Sequence, residues 1–311
     1  MAGLEVVPFS DEHLDAAAAL LAARHARHRE AEPLLPELQD PRAAIEREWR
    51  AEGASGVFAT RDGAPVAYLV ASRYRVPRAA DWMRANLAGL AIDGDREAMR
   101  DLYAAAAQRW VDDGLTQHVA FVPTHDAELV DAWFRLSFGA SSYLALRATG
   151  PEEPFDAGVE IRPGTPDDFG EAARLELEMA GAMVPSPSFS GVGLQSYDEV
   201  LAEWHQEDND DFVLFVGERD GRVVGHVLLY RRPPDLRVPE NSIDLAQAST
   251  EPAARGTGVG RALTAHVVRW AHENRYPVMT TDWRMTNLWA SRFWPKRGFR
   301  PAFLRLYRSI P

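Results

Sequence analysis

Between Arg255 and Arg261 the chain reads Arg-Gly-Thr-Gly-Val-Gly-Arg, with glycines at 256, 258 and 260. Glycine lowers helix propensity and loses the most conformational freedom on folding, so three in five residues ahead of a helical pattern need a cause. Anion binding is the chemistry that fits. The first turn of a helix has unpaired N–H groups and the positive end of the dipole, and glycines let the main chain approach phosphate oxygens. Arg255 and Arg261 add charge at the flanks. The run is not a Walker loop, because no Gly-Lys-Ser/Thr follows, and its spacing differs from the dinucleotide fingerprint. Taken alone, a Gly-x-Gly-x-Gly run reads equally well as a tight turn.

Composition narrows the partner. The net charge is −12, yet Arg222 to Pro311 carries +9 against −21 for the rest of the chain. A basic third in an acidic protein suggests an anionic ligand held locally. Nucleic acid is not expected, since the arginines are scattered and form no dense run; most of them read singly as solvated groups. Lysine occurs only at Lys296 and cysteine is absent, which excludes disulfides, thiolate metal sites and an acyl-cysteine intermediate. His25 and His28 lack ligand spacing, so no metal is expected. The apolar run from Ala16 to Ala23 follows acids and reads as an amphipathic helix rather than a leader. No run approaches the roughly 20 apolar residues that span a bilayer, so no membrane partner and a cytoplasmic location are expected.

The elements that position the loop occur twice. "LEVVPFSDEHLDAAA" from Leu4 resembles "VEIRPGTPDDFGEAA" from Val159, and "VFATRDGAPVAYLVA" from Val57 resembles "FVGERDGRVVGHVLL" from Phe215. "DAWFRLSFGASSYLALR" from Asp131 resembles "RFWPKRGFRPAFLRLYR" from Arg292. The offsets of 155, 158 and 161 drift in order, which marks a duplication. The expected domains are 1–150 and 151–311, joined by a proline- and acid-rich linker at 148–158. Each copy reads as strand, alanine-rich helix, loop, second helix, then two strands around Asp62-Gly63 or Asp220-Gly221. In the second copy a strand from Ile243 leads through the glycine turn into a helix at 258–274, then the strand "PVMTTDW", a short helix from Asn287 and a closing strand "AFLRLYR". Strand, turn, helix, strand is a βαβ unit with its loop at the carboxyl end of the first strand.

Arg255, Gly258 and Gly260 match the Arg/Gln-x-x-Gly-x-Gly pattern of the GNAT superfamily of N-acetyltransferases, and the chain resembles that family. Asn287, Ala290, Trp294, Gly298 and Phe299 resemble a second family element at the matching spacings. The resemblance covers 159–311, and 4–147 as a worn copy; the tandem arrangement is similar to the mycothiol synthase type. It implies an α/β (α+β) fold of two tandem domains, each a mixed, mostly antiparallel twisted sheet with helices on both faces. It implies further that Ala248, Ser249 and Thr250, the loop Arg255, Gly256, Thr257, Gly258, Val259, Gly260 and Arg261, and Asn287, Ser291 and Trp294 hold acetyl-CoA. The implied activity is acetyl transfer to the primary amine of a small molecule, by direct attack in a ternary complex. A non-catalytic acyl-CoA-binding sensor and a protein N-terminal acetyltransferase are the alternatives.

Asp244 and Asp282 lie on the strands flanking the loop, where relatives carry acidic or histidine groups; they are expected to be amine ligands or water-relayed bases. A solvated strand-end role, or an ion pair with Arg284, stands beside that reading. The family's usual tyrosine acid is replaced by Trp294, and indole cannot supply that proton; Tyr307 or water is the candidate substitute. In the first copy Asp95, Ala98 and Arg100 fall where Arg255, Gly258 and Gly260 lie, with Glu97 and Asp101 nearby. Those carboxylates would repel a pyrophosphate, so no coenzyme is expected there. Acids at 198–211 would suit a cationic amine or a solvated helix end, and 184–193 reads as a loop that could cover a substrate.

Overall fold

The computed structural model describes residues 3–76, 80–190, 195–206 and 209–311. Contacts divide the chain into two units, one comprising 1–144, 235–237 and 301–311, the other 145–234 and 238–300. In chain order the first repeat supplies β1 (Leu4–Pro8), α1 (Leu14–Ala31), α2 (Pro41–Trp49), β2 (Ser55–Arg61), β3 (Ala64–Tyr74) and β4 (Trp82–Ala85). It continues with β5 (Leu90–Ile92), α3 (Ala98–Asp112), β6 (Gln117–Pro123), α4 (Ala127–Phe134) and β7 (Gly139–Ala148). The second supplies β8 (Glu160–Pro163), α5 (Phe169–Ala182), α6 (Tyr197–Gln206), β9 (Phe212–Arg219) and β10 (Arg222–Tyr230). It ends with β11 (Ser242–Thr250), α7 (Val259–Glu273), β12 (Val278–Arg284), α8 (Leu288–Phe293) and β13 (Arg300–Ser309).

The first unit has its strands in the order β1-β2-β3-β4-β6-β13, antiparallel except where β4 lies parallel to β6. Its last strand therefore comes from the far end of the chain: Phe303 pairs with Pro123 and Ser309 with Gln117. A division at 150 with each copy closed by its own final strand differs from this arrangement. The second unit instead takes 145–148 of β7, which lie next to β12.

The second unit runs β8-β9-β10-β11 antiparallel and then β12 parallel to β11. Alternation along β9 sends Leu214 and Val216 toward α5 and α6, where Phe169, Leu175, Val200 and Trp204 close a core. Phe215 points the other way, 5.1 Å from His266 and 5.4 Å from Trp270 on α7. Helix α7 buries Val259, Leu263, Val267 and Ala271, a stripe at helical spacing. Burying that stripe against the sheet fixes where the helix begins, and so aims its first turn.

Candidate functional site

Strand β11 parts from β12 partway along. The ladder runs from Ser242↔Val278 to Asp244↔Thr280 and stops, and the last link is Thr281 Oγ1 donating to the Leu245 carbonyl at 2.9 Å. On the β10 side a bulge at Ala246 shifts the register, since Leu228 pairs with Gln247 and Leu229 with Leu245. Beyond this point a cavity of about 510 Å³ opens beside Ala248, Ser249 and Thr250. Its other walls are the glycine loop, the first turn of α7, α8 with the turn after it, and Met179, Ala182 and Met183 at the end of α5.

The loop has the geometry of an anion cradle. Gly256 and Gly258 have φ of +78° and +97°, a region that favours glycine. Gly258 caps α7, and the first intrahelical bond, Ala262 N–H to Gly258 O at 2.9 Å, leaves the amides of Val259, Gly260 and Arg261 without an intrahelical acceptor. At Gly260 a Cβ would stand 3.6 Å from both Phe293 Cζ and Thr250 Oγ1, two residues that line the cavity. Arg255 is held by the Thr250 carbonyl at 3.2 Å, and its guanidinium lies 4.6 Å from the ring centroid of Trp289. No carboxylate lines the cavity among the described residues, while Arg255, Arg261, Arg292, Lys296 and Arg297 all do.

Ten of the expected coenzyme residues line it: Ala248, Ser249, Thr250, Arg255, Gly256, Gly258, Gly260, Arg261, Asn287 and Trp294. Three do not. The Thr257 hydroxyl donates to the Ala254 carbonyl at 2.8 Å, Val259 is buried in the core, and the Ser291 hydroxyl donates to the Met285 carbonyl at 2.9 Å. Asn287 caps α8 by accepting from the Ala290 amide at 3.1 Å. Trp294 is buried edge-on to Phe293 and Phe299, a packing role.

The structure does not bring Asp244 or Asp282 to this lining. Asp244 is 2% exposed; Arg232 donates to it at 2.8 Å and Thr280 donates to its other oxygen. A carboxylate so held has no free face to offer an amine. Asp282 is exposed on β12, outside the cavity. Tyr307 belongs to the first unit, where its hydroxyl donates to Gln117. Of the acidic run, Asp210 and Asp211 border a separate shallow hollow with Arg231, and residues 207 and 208 lie outside the described residues. So do 191–193 of the expected covering loop, whose Ser190 hydroxyl accepts from Arg284 at 2.5 Å.

His226 on β10 was not foreseen. It lines the cavity, is fully buried, and meets Trp204 edge-on at 5.4 Å. Its Nε2–H donates to Gln247 Oε1 at 2.9 Å, which leaves the lone pair on an unpartnered Nδ1. Burial pushes its pKa down to about 4, so the ring is neutral at pH 7. A lone histidine inside an apolar strand carries no sequence signal. Lys296 and Arg297 were visible only as part of the basic C-terminal third.

In the first unit the corresponding place is an open hollow of about 500 Å³ whose lining carries the carboxylates of Asp95, Glu97, Glu128 and Asp131 beside Arg96 and Arg135. Asp126 caps α4 as Asn287 caps α8, accepting from the Leu129 amide at 3.0 Å, and also holds Arg96 at 2.9 Å. Glu97 pairs with Arg135 at 2.8 Å and with Arg100. Among the described residues no helix is long and apolar enough to cross a membrane, and no cluster of His, Asp and Glu is placed to hold a metal.

Residues 183–299 match the Acetyltransferase (GNAT) family. No curated protein matches the chain. Among solved structures, a GCN5-related N-acetyltransferase from Sphaerobacter thermophilus is 14% identical, with 98% of this chain and 95% of that one covered at a TM-score of 0.61. A tandem GNAT protein from the clavulanic acid biosynthesis pathway is 15% identical, with 99% and 98% covered at 0.55. A GCN5-related glucosamine N-acetyltransferase region of a fungal multi-domain GH3 β-N-acetylglucosaminidase is 15% identical, with 99% of this chain and 38% of that one covered at 0.58. At these identities the likeness is one of fold.

Proposed function

We propose that the second unit, whose residues 183–299 match the Acetyltransferase (GNAT) family, binds acetyl-CoA and transfers its acetyl group to the primary amine of a small molecule. The observation that carries this reading is the cradle itself: two left-handed glycines, three first-turn amides without intrahelical acceptors, and cations with no carboxylate in the wall. A coenzyme diphosphate fits these donors. Arg255, Gly256, Gly258, Gly260 and Arg261 would hold it, and the edge of β11 from 246 to 250 offers main-chain donors and acceptors to an extended arm. When bound, acetyl-CoA supplies a thioester carbonyl open to attack by a neutral amine.

The chain's own part is mostly positioning. Holding two reactants in one cleft can replace much of the barrier of a bimolecular step. With no carboxylate among the described lining residues, proton removal from the acceptor falls to water; His226 Nδ1, the one neutral nitrogen acceptor among the described lining side chains, is itself buried. Trp294 donates no proton to the leaving thiolate, whose modest basicity lets it depart unaided. The test is acetyl-CoA consumption against a panel of primary amines, with Gly260→Ala as the control expected to lose it. The absence of an acid–base carboxylate among the described lining residues also favours a second reading, a non-catalytic acyl-CoA sensor. Coenzyme binding without turnover on any amine would select it.

A further inference from the structure

The segment that joins the repeats lies against the glycine loop, and Arg219 at the end of β9 fastens it there. The Arg219 guanidinium donates to the carbonyls of Ala157 at 2.7 Å and Gly158 at 3.2 Å, and to the Thr257 hydroxyl of the loop at 3.4 Å. One side chain thus ties linker and loop together. Phe155, half-buried, is set on the loop as a result. The Arg261 guanidinium carbon lies 3.8 Å from the centroid of its ring, and a Cβ at Gly258 would come within 2.7 Å of Phe155 Cε1.

Arg261 has two directions open to it. On one side it lines the glycine-loop cavity, and on the other a hollow whose wall includes the carboxylates of Glu152 and Glu153. Glu152 is taken by Arg147 at 2.5 Å, and among the described residues no carboxylate lies within 4.0 Å of Arg261. A guanidinium on a flexible stem beside carboxylates readily pairs with one of them. Here an aromatic face holds it instead, because the ring quadrupole attracts the cation and the fastened linker fixes the ring. A side chain already held in place loses little rotamer freedom when a ligand arrives.

We propose that Phe155 is a positioning residue of the coenzyme site: from the linker, it holds the Arg261 guanidinium at the cradle before the ligand arrives. This rests on the coenzyme reading of the glycine loop. Without the ring Arg261 turns toward the linker carboxylates, and the apparent affinity falls with the fraction that stays in place. Calorimetric titration of the full chain with coenzyme A, beside ligand-free melts that confirm folding, tests this. Phe155→Leu, which keeps the apolar bulk, weakens binding by about threefold to thirtyfold, the range that a cation–π contact spans. Phe155→Tyr keeps the ring face and stays within about twofold of the wild type. In an Arg261→Gln background Phe155→Leu changes the affinity by less than about twofold, a coupling that a purely structural ring would not show. A Phe155→Leu protein that binds like the wild type overturns the proposal and leaves the loop reading standing. So does a loss just as large in the Arg261→Gln background. A wild type that does not bind coenzyme A overturns the loop reading and the proposal with it.

Discussion

Gly258 and Gly260 make opposite demands on a methyl group, and that contrast tests the cradle. At Gly258 φ is +97°, where an L-residue costs about 1–2 kcal/mol, and a Cβ would come within 2.7 Å of Phe155 Cε1 and 3.4 Å of Ala157 Cβ. Moving the ring adds a steric cost of about 1–3 kcal/mol. Gly258→Ala should therefore lower the melting temperature by roughly 5–10 °C, at a few degrees per kcal/mol for a domain of this size. At Gly260 the nearest atoms to a Cβ are Phe293 Cζ and Thr250 Oγ1, both at 3.6 Å, which is ordinary contact. Alanine is the better helix former by about 1 kcal/mol, so Gly260→Ala should melt no lower than the wild type. Its methyl, however, projects between two residues of the cavity wall and holds a diphosphate away from the first-turn amides. Losing even one charge-assisted hydrogen bond costs about 1.5–3 kcal/mol, which is a tenfold to hundredfold weaker Kd. Calorimetric titration with coenzyme A, beside a ligand-free thermal melt, reads both quantities. A Gly260→Ala protein that binds the coenzyme as tightly as the wild type would refute the cradle.

Asp244→Asn breaks an ion pair between a buried carboxylate and the half-buried Arg232 while keeping an acceptor for Thr280; it should destabilise by roughly 1–3 kcal/mol and leave kcat of the folded enzyme within about threefold. A hundredfold loss of kcat at unchanged melting temperature would return that carboxylate to the chemistry. Acid should unfold the protein partly through its buried imidazoles. His226 and His28 are held at about 4 and about 3, so the unfolded chain takes up protons first below its pKa near 6.5, and stability falls as pH drops. Between pH 7 and 4.5 His226 alone should account for about 2–3 kcal/mol, read as the part of the pH slope in urea melts that His226→Gln removes. Titration should find one coenzyme per chain, because carboxylates line the corresponding hollow in the first unit and its arginines are already paired; two equivalent sites would contradict this.

Much of the second unit was legible because its signals are local. The loop residues, the Asp-Gly hairpins and the stripe on α7 each depend on neighbours within a few positions, and β11, α7, β12 and α8 begin within about two residues of where the pattern places them. The fate of Asp244 was not legible. Its partners Arg232 and Thr280 come from the exit of β10 and from β12, and only the folded sheet shows that a strand-end aspartate is turned into a locked ion pair. Phe155 shows the same limit from the other side. Proline and acids mark its segment as a linker, but the ring packs on Gly258, so a connection becomes a wall.

The two repeats together argue that the cradle is kept for a ligand rather than for folding. Helices α3 and α7 begin at equivalent points after equivalent strands, so the fold tolerates either loop. One copy keeps φ-positive glycines and cations without carboxylate partners, groups that cost stability or gain nothing from the fold itself. The other replaces Gly258 and Gly260 by Ala98 and Arg100 and satisfies its charges internally, through Arg96 with Asp126 and Arg135 with Glu97. If the glycine loop served folding, the first unit would need it as well; it folds around ion pairs instead. On the proposed function, what the second unit gains from leaving its donors and cations unsatisfied is an anion from outside the chain.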